Sequence, residues 1–249
     1  MIRSFARIPR ILAAGLAVMV AMVVIPAYAE TPEETITRRL AETVPSLVVS
    51  GVSESEVPGL YEVRTNNREM IYATEDGEYI LAGELLQLTD KGIVNVTERA
   101  RAGERADTMA EFGDDGVIRY PADGEQKAVV SVFTDIDCPY CRKLHDEMDR
   151  INELGITVDY YAFPRSGPGT PSFAKYESVW CADDQQAAMD KAKAGEKIAD
   201  RSCDNPVEAQ YDLGRRVGVT GTPAIVLEDG NVVRGYVPAE QLAEGLGLL

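Results

Sequence analysis

The sequence contains little cysteine, histidine or tryptophan: four cysteines, one histidine and one tryptophan among 249 residues. Four cysteines are too few for a small protein held together by a disulfide network, so the neighbourhood of each one has to explain it. Positive charge is also scarce, because 41 acidic residues outnumber 25 lysines and arginines and give a formal net charge of -16. Phosphate backbones and anionic membrane surfaces repel such a chain, which argues against nucleic-acid binding.

Long apolar runs are absent after the first 29 residues, which have the layout of a secretory signal peptide. Three arginines precede an apolar run from Ile11 to Ile25, and the small-residue pattern Ala27-Tyr28-Ala29 precedes a cleavage point after Ala29. The run is shorter than the roughly twenty residues that span a bilayer, so export with cleavage is favoured over a retained membrane anchor. The mature protein is therefore expected in an oxidising compartment, outside the membrane, where disulfides persist.

The composition of the whole chain, 45% hydrophobic and 27% charged, is typical of a globular protein. Residues 30–96 are predicted to form a small module of one helix and several strands. Thr31, Pro32 and Glu34 supply an N-cap, a proline in the first turn and a capping-box acid. Short apolar stretches then predict strands at 60–63, 70–72, 79–81 and 93–96, with a hairpin turn at Asp76-Gly77. A module of this size is near the lower limit for independent stability, so contact with a partner surface would stabilise its fold.

Residues 97–116 predict a solvated connecting helix that ends in a glycine-rich break, because charges and helix formers dominate there with little apolar periodicity. Residues 117–249 show an α/β order that indicates a mixed sheet. The predicted elements are a buried strand at 128–134, a helix that Gly155 ends, a strand at 156–163, a helical insertion at about 166–215, strands at 224–227 and 232–236, and a final helix after Pro238.

Cys138 and Cys141 fall at the point where the first buried strand of this unit meets its helix. Two intervening residues allow both sulfurs to lie on one helical turn, where a reversible disulfide is geometrically accessible. Pro139 is tolerated at a helix start, which puts Cys138 at the N-terminal edge, where free N–H groups favour a negative sulfur. We expect an exposed Cys138 thiolate that attacks disulfides and a resolving Cys141 one turn deeper on the apolar face.

Other interpretations of this pair are a permanent structural disulfide and half of a zinc site, for which His145 could supply one further ligand. His145 lies about two turns beyond Cys138, which favours a packing or solvent-facing role over a long-range influence on the thiolate. Asp137 precedes Cys138 directly. Its carboxylate either raises the pKa of the thiol or is a solvated acid that stabilises the helix start, and the sequence leaves both readings open.

Cys181 and Cys203 are 22 residues apart within the predicted helical insertion. In an exported protein this spacing favours a structural disulfide, worth about 3 kcal/mol through restriction of the unfolded chain. A second redox pair is the competing interpretation, but the wide spacing offers no shared helix N-terminus.

Several motifs occur together in one order: FTDIDCPYC at 133–141, AFPR at 162–165, VWC at 179–181, SC at 202–203 and GTPA at 221–224. With these motifs the chain resembles the DsbC/DsbG family of periplasmic disulfide isomerases, over essentially the whole mature length. A lone C-x-x-C would be a weak signal, whereas this ordered set is specific.

The resemblance implies a cystatin-like α+β dimerisation module at 30–96, a linker helix at 97–116 and an α/β thioredoxin-like domain with a helical insertion at 117–249. It implies a V-shaped homodimer that acts without cofactor or metal on misoxidised exported proteins and is kept reduced by a membrane electron donor of the DsbD type. It also implies a cis Thr222–Pro223 peptide bond beside the active cysteines, where the Thr222 backbone would pair with an extended substrate.

Two departures from the family pattern concern the tuning of the active site. Pro139 and Tyr140 stand between the cysteines where Gly-Tyr is common, and Asp137 stands where a neutral residue is usual. Pro139 removes an N–H near the thiolate and Asp137 adds charge, so the redox potential is open. The leading hypothesis is an isomerase. The alternatives are a dithiol oxidase or reductase on the same fold and a chaperone-like binding module in which the thiols play no part.

Overall fold

A computed structural model describes residues 30–66 and 69–249. The predicted signal peptide, residues 1–29, lies outside the described residues. In the part that is described, the chain forms eight helices and eleven strands, and no helix there is long and apolar enough to cross a bilayer.

The N-terminal part packs one helix on an antiparallel sheet. Helix α1 (Pro32–Thr43) begins with the expected capping box: the Thr31 hydroxyl accepts from the Glu34 N–H, and the Glu34 carboxylate accepts from the Thr31 N–H. Ile36 and Leu40 lie one turn apart and bury against the sheet. The strands follow one another in space as in the sequence, namely β1 (Val49–Glu54), β2 (Leu60–Thr65), β3 (Met70–Thr74) and β4 (Ile80–Ala82).

A separate two-stranded hairpin, β5 (Leu86–Thr89) and β6 (Gly92–Asn95), follows this sheet. The sequence pattern predicts neither β1 nor β5. Glycine and serine interrupt the apolar pattern of β1, and every residue of β5 is exposed. Together with β4, the hairpin leaves six large apolar side chains exposed to 50–81% or so of their full surface. We call this set the apolar strip; it comprises Tyr79, Ile80, Leu81, Leu86, Leu88 and Ile93.

Helix α2 (Val96–Phe112) connects the two parts, and the prediction that it is a solvated connector was incomplete. Ala102 is 3% exposed and Arg105 is 7% exposed, because both face the turn at Gly230. The Arg105 guanidinium donates to the backbone carbonyls of Val217 and Gly230. Little apolar periodicity was visible in the sequence because a buried arginine holds this contact, and the long side chain of arginine brings both an apolar stem and five donors.

The C-terminal part is built on a five-stranded mixed sheet in the order β11-β10-β8-β9-β7. Strands β8 (Ala128–Thr134) and β9 (Ile156–Ala162) are parallel and form its buried centre. The other strands are antiparallel to their neighbours; they are β7 (Ile118–Tyr120), β10 (Ala224–Val226) and β11 (Val232–Arg234). Strand β7 has no counterpart among the predicted elements, because three residues are too few to show a period.

The helix after β8 is divided in two, where the sequence pattern predicted a single helix ending at Gly155. Helix α3 (Pro139–His145) stops before Glu147, and α4 (Met148–Glu153) starts after it. The Glu147 carboxylate accepts hydrogen bonds from the Tyr236 hydroxyl and, at 2.7 Å, from the Ala239 N–H. These two hydrogen bonds fix the break between α3 and α4 against the start of the last helix. Because the partners lie some 90 positions away, no local sequence pattern predicts the break.

The predicted helical insertion contains three helices, α5 (Pro171–Trp180), α6 (Gln185–Lys193) and α7 (Val207–Arg216). A disulfide joins Cys181, which caps α5, to Cys203, which lies between α6 and α7. Helix α8 (Ala239–Gly245) completes the chain and packs against α4. The effect of this arrangement is to carry the end of α6 to the buried side of the β8–α3 corner.

Candidate functional site

Cys138 is the N-cap residue of α3, directly after the loop that leaves β8. Pro139 occupies the first turn of the helix, where a missing N–H costs nothing. Cys141 lies one turn further along α3 on the buried face. Both cysteines are free thiols, so the structure shows the pair in its dithiol form.

The expectation of an exposed Cys138 was wrong, because the residue is only 2% exposed. The loop that carries the cis Thr222–Pro223 peptide bond lies against it, and the Cys138 thiol donates to the Thr222 carbonyl oxygen at 3.3 Å. This loop is more than eighty residues away in the chain, so its cover could not be inferred from the helix start alone. Tyr140, in contrast, is 64% exposed and marks the open side of the site.

The pKa of Cys138 is lowered, in the direction that the helix start predicted. Burial of the sulfur raises the pKa. The Thr222 side chain, the Cys141 N–H and thiol and the Tyr140 N–H lower it, and they outweigh burial. The Thr222 hydroxyl forms no hydrogen bond of ordinary geometry, yet it lies close enough to favour a negative charge on both sulfurs. Cys138 is thus the thiol of the pair that ionises more readily.

Cys141 has the opposite character, since its side chain is fully buried and burial raises its pKa. Its sulfur accepts a hydrogen bond from the Asp135 N–H at 3.3 Å. The positive charge of Lys193, the Thr222 side chain and the Asp135 N–H oppose the effect of burial on the pKa without reversing it. One thiol of the pair is therefore poised to ionise and the other is held as a thiol.

Asp137 does not stand as an isolated charge beside the thiol. Its carboxylate pairs with the Lys175 ammonium at 2.6 Å and with the Arg142 guanidinium at 3.4 Å. Two cations therefore offset the negative charge that the sequence placed next to Cys138. The Asp137 carboxylate is not among the strongest influences on the pKa of Cys138. This supports the interpretation of Asp137 as a surface acid over the interpretation that it raises the pKa of the thiol.

Asp135 is a buried acid that was not among the predicted site residues. Its carboxylate accepts from the Asp137 N–H at 2.8 Å and from the backbone and side chain of Arg165, both at 3.0 Å. Because its carboxylate anchors the loop before α3 and its N–H bonds to Cys141, Asp135 fixes the position of the cysteine pair. The motif that contained both Asp135 and Arg165 was visible in the sequence, but their partnership was not.

Lys193 is the least expected residue of the site. It ends α6, it is 3% exposed, and its ammonium donates to the Thr134 hydroxyl at 2.5 Å and to the Asp135 carbonyl at 3.1 Å. Burial lowers its pKa to about 8. No sequence signal distinguished it from Lys191, because lysine is common on the solvated faces of helices.

His145 is largely but not fully buried, with 11% of its side chain exposed, and it packs against Tyr160 and Tyr120. Its Nδ1 lies 3.2 Å from the Tyr160 hydroxyl, its Nε2 lies 3.1 Å from the Asp190 carboxylate, and burial lowers its pKa. Among the described residues, no group of three or more histidine, cysteine and acidic side chains is arranged to hold a metal ion.

Comparison with known proteins agrees with these features. Two protein-family models match the sequence. The family described as thioredoxin-like domain matches residues 117–248, and the family described as disulfide bond isomerase protein N-terminal domain matches residues 27–98. The chain is 42% identical over 191 residues to the thiol:disulfide interchange protein DsbC of Dickeya dadantii, with 77% of each chain covered. It is 36% identical over 219 residues to the Escherichia coli K12 protein of that name, with 88% of this chain and 89% of the relative covered.

Among solved structures, a disulfide interchange protein from Neisseria gonorrhoeae is 32% identical, with a TM-score of 0.48, and the match covers 54% of this chain and 96% of that one. The two matched domain models confirm the predicted fold class, an α+β N-terminal module followed by a thioredoxin-like domain.

Proposed function

Since the chain belongs to the DsbC family of thiol:disulfide interchange proteins, we propose that it isomerises non-native disulfides in exported proteins and that Cys138 and Cys141 carry the reaction. The observation that supports this most directly is the contrast between the two thiols. Cys138 has a lowered pKa at a helix start, and Cys141, one turn away, has a raised pKa in the core. Thiol–disulfide exchange needs one ready thiolate and one reserve thiol.

In the proposed reaction the Cys138 thiolate attacks one sulfur of a substrate disulfide. A bond forms between the Cys138 sulfur and that sulfur, and the other substrate sulfur leaves as a thiolate with the electron pair of the broken bond. In isomerisation a substrate thiolate later attacks the mixed disulfide and releases Cys138 unchanged, so the number of substrate disulfides is preserved. If the substrate stalls, Cys141 loses its proton, attacks the Cys138 sulfur and releases the substrate as a thiolate.

Thr222 and Pro223 are the proposed substrate-binding residues. The Thr222 carbonyl lies 3.3 Å from the Cys138 sulfur, so a substrate segment that bonded to this stretch of backbone would bring its own sulfur beside the nucleophile. The cover over Cys138 supports the same assignment, because the group that hides the sulfur belongs to the loop that the substrate would contact. Tyr140 extends this surface on the exposed side of the cysteines.

We propose that the protein is a homodimer joined through its N-terminal module, residues 30–96. The apolar strip supports this, because six large apolar side chains in about fifteen residues of chain are costly to leave in water. A second copy of this chain would cover them and extend the small sheet. Residues 97–116 then form the linker helix, and residues 117–249 form the catalytic domain.

The same proposal places the mature chain in the periplasm, after export and cleavage behind Ala29. An isomerase must be held in the dithiol form, and we propose that a membrane electron donor of the DsbD type supplies the electrons. The substrates are exported proteins with wrongly paired cysteines.

The decisive experiment uses the full mature chain, in its dithiol form, with a scrambled protein of several disulfides and no added oxidant. We expect recovery of the native substrate with an unchanged total of substrate disulfides. Cys138→Ala should reduce recovery to background, whereas Cys141→Ala should retain some activity and accumulate mixed disulfides.

Two other outcomes would contradict isomerisation in different ways. Rapid oxidation of a reduced substrate by the disulfide form, without recovery of a scrambled one, would assign a dithiol oxidase to this fold. The protein would instead be a binding module if Cys138→Ala suppressed aggregation as well as the wild type does and neither protein changed the disulfides of the substrate.

A further inference from the structure

Lys193 places a buried positive charge behind the cysteine pair. The side chain is 3% exposed, and its ammonium bonds to two neutral oxygens, those of the Thr134 hydroxyl and the Asp135 carbonyl. Both oxygens belong to the end of β8 and the first residue after it, directly behind the cysteine pair. A lysine is rarely buried in this way without an anionic partner, because removing an ammonium from water is costly.

No carboxylate within the described residues lies within ion-pair distance of Lys193. The Asp135 carboxylate faces Arg165 and the Asp137 N–H instead. The Asp135 carbonyl alone accepts from Lys193. The buried ammonium is therefore solvated by dipoles, and its charge is not neutralised in the ground state.

The cysteine pair is the part of the site that can supply the missing negative charge. A single residue links the two, since the Asp135 carbonyl accepts from Lys193 and the Asp135 N–H donates to the Cys141 sulfur. The other charged or titratable groups that face this region are Cys138 and Arg142 on α3 or at its start, Tyr160 on β9 and Tyr176 on α5. His145, also on α3, has its pKa lowered in part by the same ammonium.

We propose that Lys193 is a positioning residue that stabilises negative charge on the cysteine pair, on Cys138 in the dithiol form and on Cys141 when this thiol resolves a mixed disulfide. This inference rests on the proposed function. Cys141 gives up its proton to water, and its thiolate then attacks the Cys138 sulfur. A Cys141–Cys138 bond forms while the bond between Cys138 and the substrate breaks, and the substrate sulfur leaves with the electron pair and takes a proton from water. The ammonium of Lys193 carries no bond change and acts by its charge.

The charge has a second consequence in the same direction. It stabilises the dithiol form, because that form holds the ionised Cys138, and it does not stabilise the neutral disulfide. The opposing pull is visible on the lysine itself. Burial lowers the pKa of Lys193 to about 8, and negative charge on Cys141, Asp135 and Cys138 raises it. Coupling of this kind is reciprocal. If the Lys193 ammonium lowers the pKa of the thiols, the thiolates raise the pKa of Lys193 by the same free energy.

The first test compares wild type, Lys193→Met and Lys191→Met in equilibrium with glutathione. Lys191 lies on the same helix and is exposed, so its replacement removes one positive charge without touching the site. We expect Lys193→Met to shift the equilibrium toward the disulfide by roughly tenfold, or about 30 mV toward a more reducing couple, and Lys191→Met to leave it unchanged. Equal constants for wild type and Lys193→Met would overturn the proposal.

A second test keeps the proposal falsifiable should Lys193→Met fold poorly. The side-chain carbon next to the amine of Lys193 is followed by NMR in the wild-type protein while pH is varied, once in the dithiol form and once in the disulfide form. We expect a higher pKa of Lys193 in the dithiol form. The same pKa in both forms would overturn the proposal.

Neither test uses a protein substrate, so the two hypotheses can fail separately. Loss of isomerase activity with an intact difference between the two Lys193 titrations would contradict the proposed function and leave the electrostatic coupling standing. An active isomerase with identical titrations would contradict the role of Lys193 alone.

Discussion

The thiol of Cys138 donates a hydrogen bond to the carbonyl oxygen of Thr222, with 3.3 Å between sulfur and oxygen. This contact exists only while the sulfur carries its proton, because a thiolate cannot donate to a carbonyl. Ionisation of Cys138 therefore removes this bond to the covering loop. The same event that creates the nucleophile frees the Thr222 carbonyl for a substrate segment. The cover over Cys138 is thus compatible with an attacking role.

The Thr222 hydroxyl should contribute to the low pKa of Cys138. Thr222→Val removes the hydroxyl and keeps the branched shape, so we expect the pKa of Cys138 to rise and its alkylation at neutral pH to slow by up to about tenfold. The measurement is the rate of iodoacetamide reaction as a function of pH. Thr222→Ser is the matched control, because it keeps the hydroxyl and should retain the wild-type profile. If the valine variant and the wild type have the same dependence of alkylation rate on pH, the Thr222 hydroxyl does not lower the pKa of Cys138.

Arg105 should anchor the linker helix to the thioredoxin-like domain. Arg105→Met keeps the apolar stem but leaves the carbonyls of Val217 and Gly230 without their donor. We expect the free energy of unfolding to fall by roughly 2 to 4 kcal/mol in chemical denaturation. Arg99→Met on the same helix is the control, since Arg99 is half exposed and pairs with Glu56. It should cost less than about 1 kcal/mol, and an equal cost for the two variants would contradict the anchoring role.

Gly230 should tolerate no side chain, because a Cβ there would lie 1.8 Å from the Ala102 carbonyl oxygen, in a backbone conformation with φ of +78°. Gly235 has a similar φ of +86° but open space around it. We expect Gly235→Ala to cost about 1 kcal/mol through backbone strain and Gly230→Ala to cost several times more. Limited proteolysis within residues 96–112 is the second readout. Cleavage should accelerate in the Gly230 variant alone. Equal cleavage rates in the two variants would contradict the contact between helix α2 and the turn at Gly230.

The apolar strip should hold the two copies of the chain together. Leu88 and Ile93 are paired across the β5–β6 hairpin and are 81% and 68% exposed. Replacing both with glutamate places like charges opposite each other, so we expect a monomer in analytical ultracentrifugation where the wild type is a dimer. Gln87→Glu adds one charge to the other face of the same strand and is expected to leave the dimer intact. A dimeric double variant would contradict the assignment of the interface to this strip.

Lys193 should impose a pH dependence on stability. Its pKa is about 8 in the folded chain and ordinarily 10.5, so below pH 8 both states hold the proton and the full cost of a buried charge applies. Between about pH 8 and 10.5 the unfolded state binds more protons, and the free energy of unfolding rises with pH.

The difference between wild type and Lys193→Met, measured in the dithiol form to which the pKa of about 8 belongs, should therefore change in favour of the wild type by up to roughly 3 kcal/mol across this window. A flat difference would show that Lys193 keeps an ordinary pKa.

Much of the fold was visible in local patterns. The capping box at Thr31, the apolar runs of β8 and β9 and the turn at Asp229-Gly230 all rest on contacts between near neighbours or on simple burial, which composition and period express directly. The elements that escaped prediction share the opposite feature. Strands β5 and β7 are short and acquire their structure from a partner strand, and the break at Glu147 depends on bonds to Tyr236 and Ala239.

The sequence by itself determined the chemistry: two thiols one helical turn apart, with Cys138 at a helix start that lowers its pKa. It could do so because i to i+3 spacing and a preceding strand are properties of neighbouring residues. Only the tertiary structure decided that the Thr222 loop covers Cys138, that Lys175 and Arg142 offset Asp137, and that Lys193 lies behind Cys141. These contacts join residues up to 84 positions apart, and the folded chain brings them together by burying surfaces that leave no periodic trace in the sequence.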